Sequence, residues 1–162
     1  MIERTLVLLK PDTIQRGLIG EIISRFEKIG LKIIGMKMVF VDEKFAGRHY
    51  FDVKERRGRK VFDNNVKFLS EDPVIAMCLE GIHAIEIVRK VIGQTEPKSA
   101  LPGTIRGDYA HVSYDYADSK NSVVKNLIHA SSSKDDAKRE LELWFKKEEL
   151  HSYKTFHEKH TL

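Results

Sequence analysis

The sequence predicts an α+β fold in which an antiparallel βαββαβ sheet carries helices on one face. Three observations predict it. Two short, continuously apolar runs, T-L-V-L-L at residues 5–9 and P-V-I-A-M-C-L at 73–79, have the composition of buried strands. Two stretches, 18–29 and 83–92, repeat apolar residues at helical spacing and stop at glycine. The elements follow one another as strand, helix, strand, helical pair, strand, helix, loop, strand, helix, with no internal repeat and no dividing linker. That order is the ferredoxin-like one, here with a helical hairpin and a long loop added.

The first strand ends at Lys10-Pro11-Asp12, where proline stops the ladder and leaves Lys10 at a strand tip, a usual place for functional groups on open sheets. Ile19, Ile22, Ile23, Phe26 and Ile29 form the stripe of the first helix, and Gly30 ends it. Residues 31–41 are a long Ile/Met/Val strand. Residues 43–51 and 61–69 read as two helices. Between them the basic run K-E-R-R-G-R-K at 54–60 reads as a solvated turn. The strand at 73–79 opens on Pro73, which fits a first position. In the following helix Ala84, Val88 and Val91 share a face. Residues 93–108, punctuated by Pro97, Pro102, Gly103 and Gly107, read as a loop too long to be a mere connection, hence an active-site loop. Residues 109–116 resolve as neither helix nor strand, and 117–120 read as polar surface. A strand then reaches His129, the last helix buries Ala137, Leu141, Trp144 and Phe145, and a polar tail follows from His151.

A chain of 162 residues is one domain, 1–162, with enough apolar content (41%) for a sizeable core. One cysteine, Cys78, excludes an intrachain disulfide and suits a reducing compartment. The opening M-I-E-R-T lacks a basic signal-like segment, and no run reaches the roughly 18 apolar residues of a membrane span. A cytoplasmic location and no membrane partner are expected. A net charge of +4 admits nucleic acid or small polyanions as partners.

The chemistry concentrates at N-L-I-H-A-S-S-S, residues 126–133. His129 stands at a strand-to-helix junction, where unpaired N–H groups and the helix dipole favour an anion. Downstream, Glu140 sits on the edge of the buried face with Ala137, Leu141 and Trp144. Either it turns back to fix the His129 tautomer, or it is a boundary glutamate paired with a surface lysine; position alone leaves both open. Lys10, Arg89 and Arg106 could be surface charges or could together surround a polyphosphate. His151, His157 and His160 read as a solvated tail rather than a metal site. No phosphate-binding P-loop, no dinucleotide fingerprint and no cysteine pair for zinc is present.

N-L-I-H-A-S-S-S resembles the nucleoside diphosphate kinase pattern N-x-x-H-[GA]-S-D. Further blocks are similar to that family in the same order: R-T-L-V-L-L-K-P-D with Q-R-G-L-I-G-E-I-I, His49-Tyr50, P-V-I-A-M-C-L-E-G, P-G-T-I-R-G-D and L-W-F-K-K-E-E-L. The resemblance spans residues 2–153. It implies a ping-pong kinase that moves the γ-phosphoryl of a nucleoside triphosphate to His129 and on to a nucleoside diphosphate. An imidazole, with an ordinary pKa of about 6.5, is a competent nucleophile at neutral pH. The transfer itself needs positioning and charge neutralisation.

By position, the resemblance makes His129 the nucleophile through Nδ1, oriented by Glu140 with help from Ser131. It puts Lys10 and Tyr50 near the transferred phosphoryl, Arg89, Thr95 and Arg106 on the phosphates, and Asn126 on the sugar. Successive residues of a strand alternate faces, so Asn126 and His129 can share a site only if the backbone bends. Mg²⁺ is the implied cofactor, held mainly by nucleotide phosphates and not by protein ligands. ATP and other nucleoside tri- and diphosphates are the implied partners, and the implied assembly is a homo-oligomer, a hexamer or else a tetramer. Three departures stand out. Ser132 replaces the family aspartate, a change expected to remove a charge near the helix start while serine still caps it. The base-stacking aromatic falls at Val61, with Phe62 adjacent. Segments 57–60 and 113–122 read as insertions, the second altering the surface near the long loop. Two other readings remain: a non-catalytic nucleotide-binding member of the fold, and a nucleic-acid module using the 54–60 run, the latter disfavoured because the nearby aromatics suit a nucleotide cleft.

Overall fold

The computed structural model describes residues 1–161. In chain order the elements are β1 (Ile2–Leu9), α1 (Pro11–Gln15), α2 (Ile19–Lys28), β2 (Lys32–Val39), α3 (Glu43–His49), α4 (Val53–Arg57), α5 (Arg59–Ser70), β3 (Val74–Ile82), α6 (Ala84–Ile92), α7 (Ile105–Tyr109), α8 (Tyr114–Ser119), β4 (Ile128–Ala130), α9 (Lys134–Trp144) and α10 (Glu158–Thr161). The sheet has the order β2-β3-β1-β4, and every pairing is antiparallel. This is the expected βαββαβ arrangement.

One expectation fails: the helices do not keep to one face. β1 and β3 bury every side chain along residues 5–9 and 74–79. Residues pointing one way (Val7, Leu9, Met77, Leu79) pack with Ile22 and Phe26 of α2 and Val88 of α6. Those pointing the other way (Leu6, Leu8, Ala76, Cys78) pack with Ala46 of α3, Val66 and Leu69 of α5, and Trp144 of α9. A continuous apolar strand has no polar face to offer water, so both faces must be covered. The signal was in the runs themselves.

The segment 93–108 is less of a loop than its composition implies. It holds a short 3-10 turn at Pro97–Ser99 and then α7, capped by Thr104, whose Oγ1 accepts the Gly107 N–H at 3.1 Å. Segment 117–120 is not plain surface either: it continues α8, and Ala117 is buried. The basic run is not a turn; it forms α4 and the start of α5, joined at Gly58 with φ 86°. The tail packs back: the Tyr153 hydroxyl donates to the Ile33 carbonyl at 2.6 Å, and Lys32 pairs with Glu158.

Gly107 is where α7 meets the chain before it. A Cβ there would lie 2.1 Å from the Leu101 carbonyl oxygen. Gly107→Ala is therefore expected to lower stability by about 1–3 kcal/mol, as overpacking does, and to shift α7. Thermal denaturation checks it, and an unchanged melting temperature would contradict the packing described.

Candidate active site

The site begins with a kink. Leu127 takes φ 71°, and the Ile128 N–H donates to the Asn126 carbonyl at 2.8 Å, closing a three-residue turn. Such a turn is strained for a leucine. The start of α1 holds it from the other side. The Lys10 N–H and the Thr13 hydroxyl both donate to the Leu127 carbonyl, at 2.8 and 2.6 Å, and the Leu127 N–H donates to Asp12 Oδ2 at 2.8 Å. The bend brings Asn126 and His129 to one cleft.

β4 is three residues long and pairs with β1. Where the ladder ends, the Ser131 hydroxyl takes over. It accepts the Leu6 N–H at 3.2 Å and donates to Glu140 Oε2 at 2.7 Å. Glu140 Oε1 in turn lies 3.0 Å from His129 Nε2. A carboxylate only accepts, so Nε2 carries the proton and the neutral ring keeps its lone pair on Nδ1. Glu140 is 5% exposed and His129 26% exposed, so the acceptor is buried and the imidazole is reachable. Of the two positional readings of Glu140, the one that turns it back to His129 is correct.

Around this pair lies a cavity of about 450 Å³. Lys10, Tyr50, Val61, Arg89, Thr95, Arg106, Asn126, His129 and Glu140 all line it. Ser131 stands behind Glu140. Phe62 does not line it; its ring packs against Gly47 and the hairpin core. The Lys10 ammonium donates to Asn126 Oδ1, and Asn126 Nδ2 donates to the Thr95 carbonyl at 2.7 Å. Arg106 is buried and donates to three carbonyls, those of Asn126, Gly93 and Ile128, at 3.2, 3.0 and 2.6 Å. Two of its roughly five N–H groups remain. Arg106 thus holds the 126–128 backbone as well as lending charge to the cleft, from a helical turn and not the loop expected.

Charge is concentrated here at a cost. Burial pulls Lys10 down to about 8, Asp12 opposing and Arg106 adding to the shift. Burial also lowers Arg106, helped by Arg89, and raises the Tyr50 phenol, helped by Glu140 and Asp12. A polyanion would relieve the first two.

Reading the residues alone missed three contributors. Asp12 and Thr13 hold the kink; the signal was K-P-D-T directly after a buried strand. His49 is the third. Its Nδ1 accepts the Trp144 indole N–H at 3.2 Å, and its ring lies edge-on to His129 with centroids 4.6 Å apart. Burial, then His129, Arg139 and Lys10, hold it well below the ordinary range, so it stays neutral. His49, His129 and Glu140 offer ligand atoms within 4.8 Å of one another. With Nδ1 accepting, however, His49 Nε2 carries its hydrogen and has no lone pair for a metal. Asp52 is engaged by Arg56 at 2.8 Å.

The start of α9 differs from expectation in one respect. Ser133, not Ser132, is its cap, accepting the Asp136 N–H at 3.1 Å. Both serine hydroxyls donate to the Asp136 carboxylate, which these bonds lower. Asp136 borders the cleft, so a negative charge is retained near the helix start one turn away from position 132.

A family model described as nucleoside diphosphate kinase matches residues 3–150. The chain is 46% identical over 156 residues to a nucleoside diphosphate kinase of Borreliella burgdorferi, covering 95% of this chain and 93% of that one. It is 51% identical over 152 residues to one of Pyrococcus furiosus, covering 94% and 88%. Among solved structures, a transition-state mimic of the Borrelia burgdorferi enzyme with bound vanadate and ADP superposes with a TM-score of 0.97 at 44% identity, covering 99% of this chain and 96% of that one. The Halobacterium salinarum enzyme in complex with CDP gives 0.85 at 39% identity, covering 98% and 97%.

The Lys10 shift makes stability depend on pH. Its folded value, about 8, lies below the ordinary 10.5, so the unfolded chain binds more protons between those limits. The cost of the buried charge is fully present below pH 8 and disappears as pH rises toward 10.5. Measured against Lys10→Met, the wild type should gain on the order of 3 kcal/mol across that window. Denaturant melts at pH 7, 8.5 and 10 check it; a difference that stays flat would contradict the burial.

Proposed function

The chain belongs to the nucleoside diphosphate kinase family, and we propose that it performs that family's phosphoryl transfer through a phosphohistidine on His129. It is a nucleotide-binding phosphotransferase. The observation that carries the residue assignment is the buried Ser131–Glu140–His129 chain of hydrogen bonds. It leaves an imidazole lone pair on Nδ1 in a cleft lined by Lys10, Arg89 and Arg106.

In the proposed cycle, a nucleoside triphosphate enters with its phosphates toward Lys10, Thr95, Arg89 and Arg106. Asn126, already bonded to the Lys10 ammonium, meets the sugar. His129 Nδ1 attacks the γ-phosphorus, the bond to the bridging oxygen breaks, and the diphosphate leaves with that oxygen's electron pair. Glu140 keeps the Nε2 proton and stabilises the ring as positive charge develops on it. The Tyr50 phenol, raised by burial, remains a neutral donor beside the transferred group. A second diphosphate then takes the phosphoryl from Nδ1 in the reverse step. Family members use nucleotides with a divalent metal; Mg²⁺ on the phosphate oxygens would neutralise their charge. The vanadate and ADP of the Borrelia burgdorferi transition-state mimic support this reading.

Further elements of the proposal concern assembly and location. Met36 and Met38, 55% exposed each, lie on the edge strand β2, and Phe40, 69% exposed, follows just beyond its end. Exposed apolar side chains on an edge strand favour a second copy of the chain. A hexamer, or else a tetramer, is the proposed assembly. No described helix is long and apolar enough to cross a membrane. The cytoplasm is the proposed location.

Incubation with γ-labelled ATP should give an acid-labile, alkali-stable phosphoprotein that ADP discharges. His129→Ala should neither label nor turn over; labelling of that variant would refute the assignment. Glu140→Gln should still fold and bind but lose on the order of 10²-fold in kcat, since it keeps the shape and loses the charge. The double variant Met36→Glu, Met38→Glu should yield a smaller species than wild type in light scattering. An unchanged mass would exclude this edge as the interface.

A further inference from the structure

The cleft has two ends built from different material. Its inner end, around His129, rests on the sheet. Its mouth lies between the α4–α5 hairpin and α8, the helix of segment 113–122. A nucleotide that places its phosphates at Lys10 and Arg106 must put its base toward that mouth. Four aromatic or imidazole side chains line the cavity: His49, Tyr50, Tyr114 and His129. The first two are buried, and His129 is the nucleophile of the proposed reaction. Val61 faces the cleft but offers no ring, and Phe62 turns away into the hairpin core.

Tyr114 is left, and it is built in rather than loosely attached. Its N–H donates to Glu96 Oε1 at 2.8 Å, and Ser113 caps its helix by accepting the Tyr116 N–H at 3.2 Å. Ala117, one turn on, is buried. The Lys98 N–H donates to the Val112 carbonyl at 3.1 Å, and Asn64 Nδ2 of α5 donates to the Asn121 carbonyl at 3.4 Å. The second of these bonds spans the mouth. One face of the Tyr114 ring is covered by the Arg57 guanidinium, 5.2 Å from its centre. A planar, delocalised, weakly hydrated cation stacks on an aromatic face as a nucleobase does. Tyr114 and Arg106 line the same cavity.

We infer that Tyr114 is the residue on which the nucleobase stacks, and that the base takes the ring face that Arg57 covers. The inference rests on the cleft being a nucleotide site. It makes segment 113–122 part of substrate binding. It also locates the aromatic contact that position 61 does not supply. Because stacking is sequence-tolerant yet stronger for larger rings, Tyr114 favours purines modestly without excluding pyrimidines.

The test is calorimetric binding of ADP, CDP and inorganic tripolyphosphate to wild type, Tyr114→Phe and Tyr114→Ala. ADP affinity should fall roughly five- to tenfold in Tyr114→Ala, CDP affinity less, and tripolyphosphate affinity not at all. Tyr114→Phe should bind ADP within about twofold of wild type. ADP binding by Tyr114→Ala equal to wild type would overturn the inference. So would an equal loss for all three ligands, which marks a general distortion of the cleft. The readout is binding, so it stands apart from the phosphohistidine test. A wild type that binds ADP but never labels on His129 defeats the catalytic reading alone.

Discussion

The site hangs on the backbone at Leu127. A regular strand would send Asn126 and His129 to opposite faces of the sheet. The left-handed φ at Leu127 turns the chain so that both enter one cleft, while Leu127 itself is wholly buried in the core. Such a conformation persists only where its surroundings over-determine it. Here they do: Asp12 and Thr13 hold the Leu127 N–H and carbonyl, and Arg106 holds the carbonyls on either side, at Asn126 and Ile128. The same clamp sets the position of Lys10, whose own N–H is one of its bonds. Lys10, Asn126 and His129 are therefore not independently placed.

The second dependence is electrostatic. Burying a carboxylate is unfavourable unless its oxygens are occupied. Glu140 has one oxygen on Ser131 and the other on His129, with Arg139 Nη2 at 3.6 Å from the latter. Ser131 can serve because its hydroxyl also accepts from the Leu6 N–H, which fixes where its own proton goes. The orientation of His129 is thus traceable to the backbone of β1, a central strand of the sheet. Neutral His49, locked by the Trp144 N–H, fills the space beside the imidazole without adding a competing charge. Rigidity of this kind reduces the reorganisation needed when charge appears on the ring.

How much of this was legible follows from where each signal resides. The strands and the long helices were readable because buried runs and helical stripes are local patterns. That both sheet faces are covered was implicit in the same runs. The short helices α7 and α8 were not readable, because five or six residues carry too little periodicity and their stability comes from caps and packing. The side chains of His129, Lys10, Arg89, Arg106, Thr95, Asn126, Tyr50, Val61 and Glu140 do line one cleft, whereas Phe62 does not. Its neighbour faces the cleft, and one position along a helix is a turn of about 100°, so a small uncertainty in register reverses the assignment. The capping role expected of Ser132 fell to Ser133 for a similar reason, a shift of one residue at a helix start. Asp12 and Thr13 act through the backbone of a residue more than a hundred positions away; K-P-D-T marks where the strand stops, not which distant backbone those side chains hold.

The division of the cleft into two ends has a consequence for how the protein can vary. Groups at the phosphoryl end are tied to the sheet, to one another and to a strained turn, so a change in any one disturbs its neighbours. Groups at the mouth sit on the short helices α4 and α8 and at the start of α5, joined by exposed segments where insertions are tolerated. Phosphoryl transfer demands fixed geometry at one end and only a flat, apolar contact at the other. A chain can therefore lose an aromatic side chain at one position of the mouth and supply a ring from a different element. The strained, buried end has no such freedom.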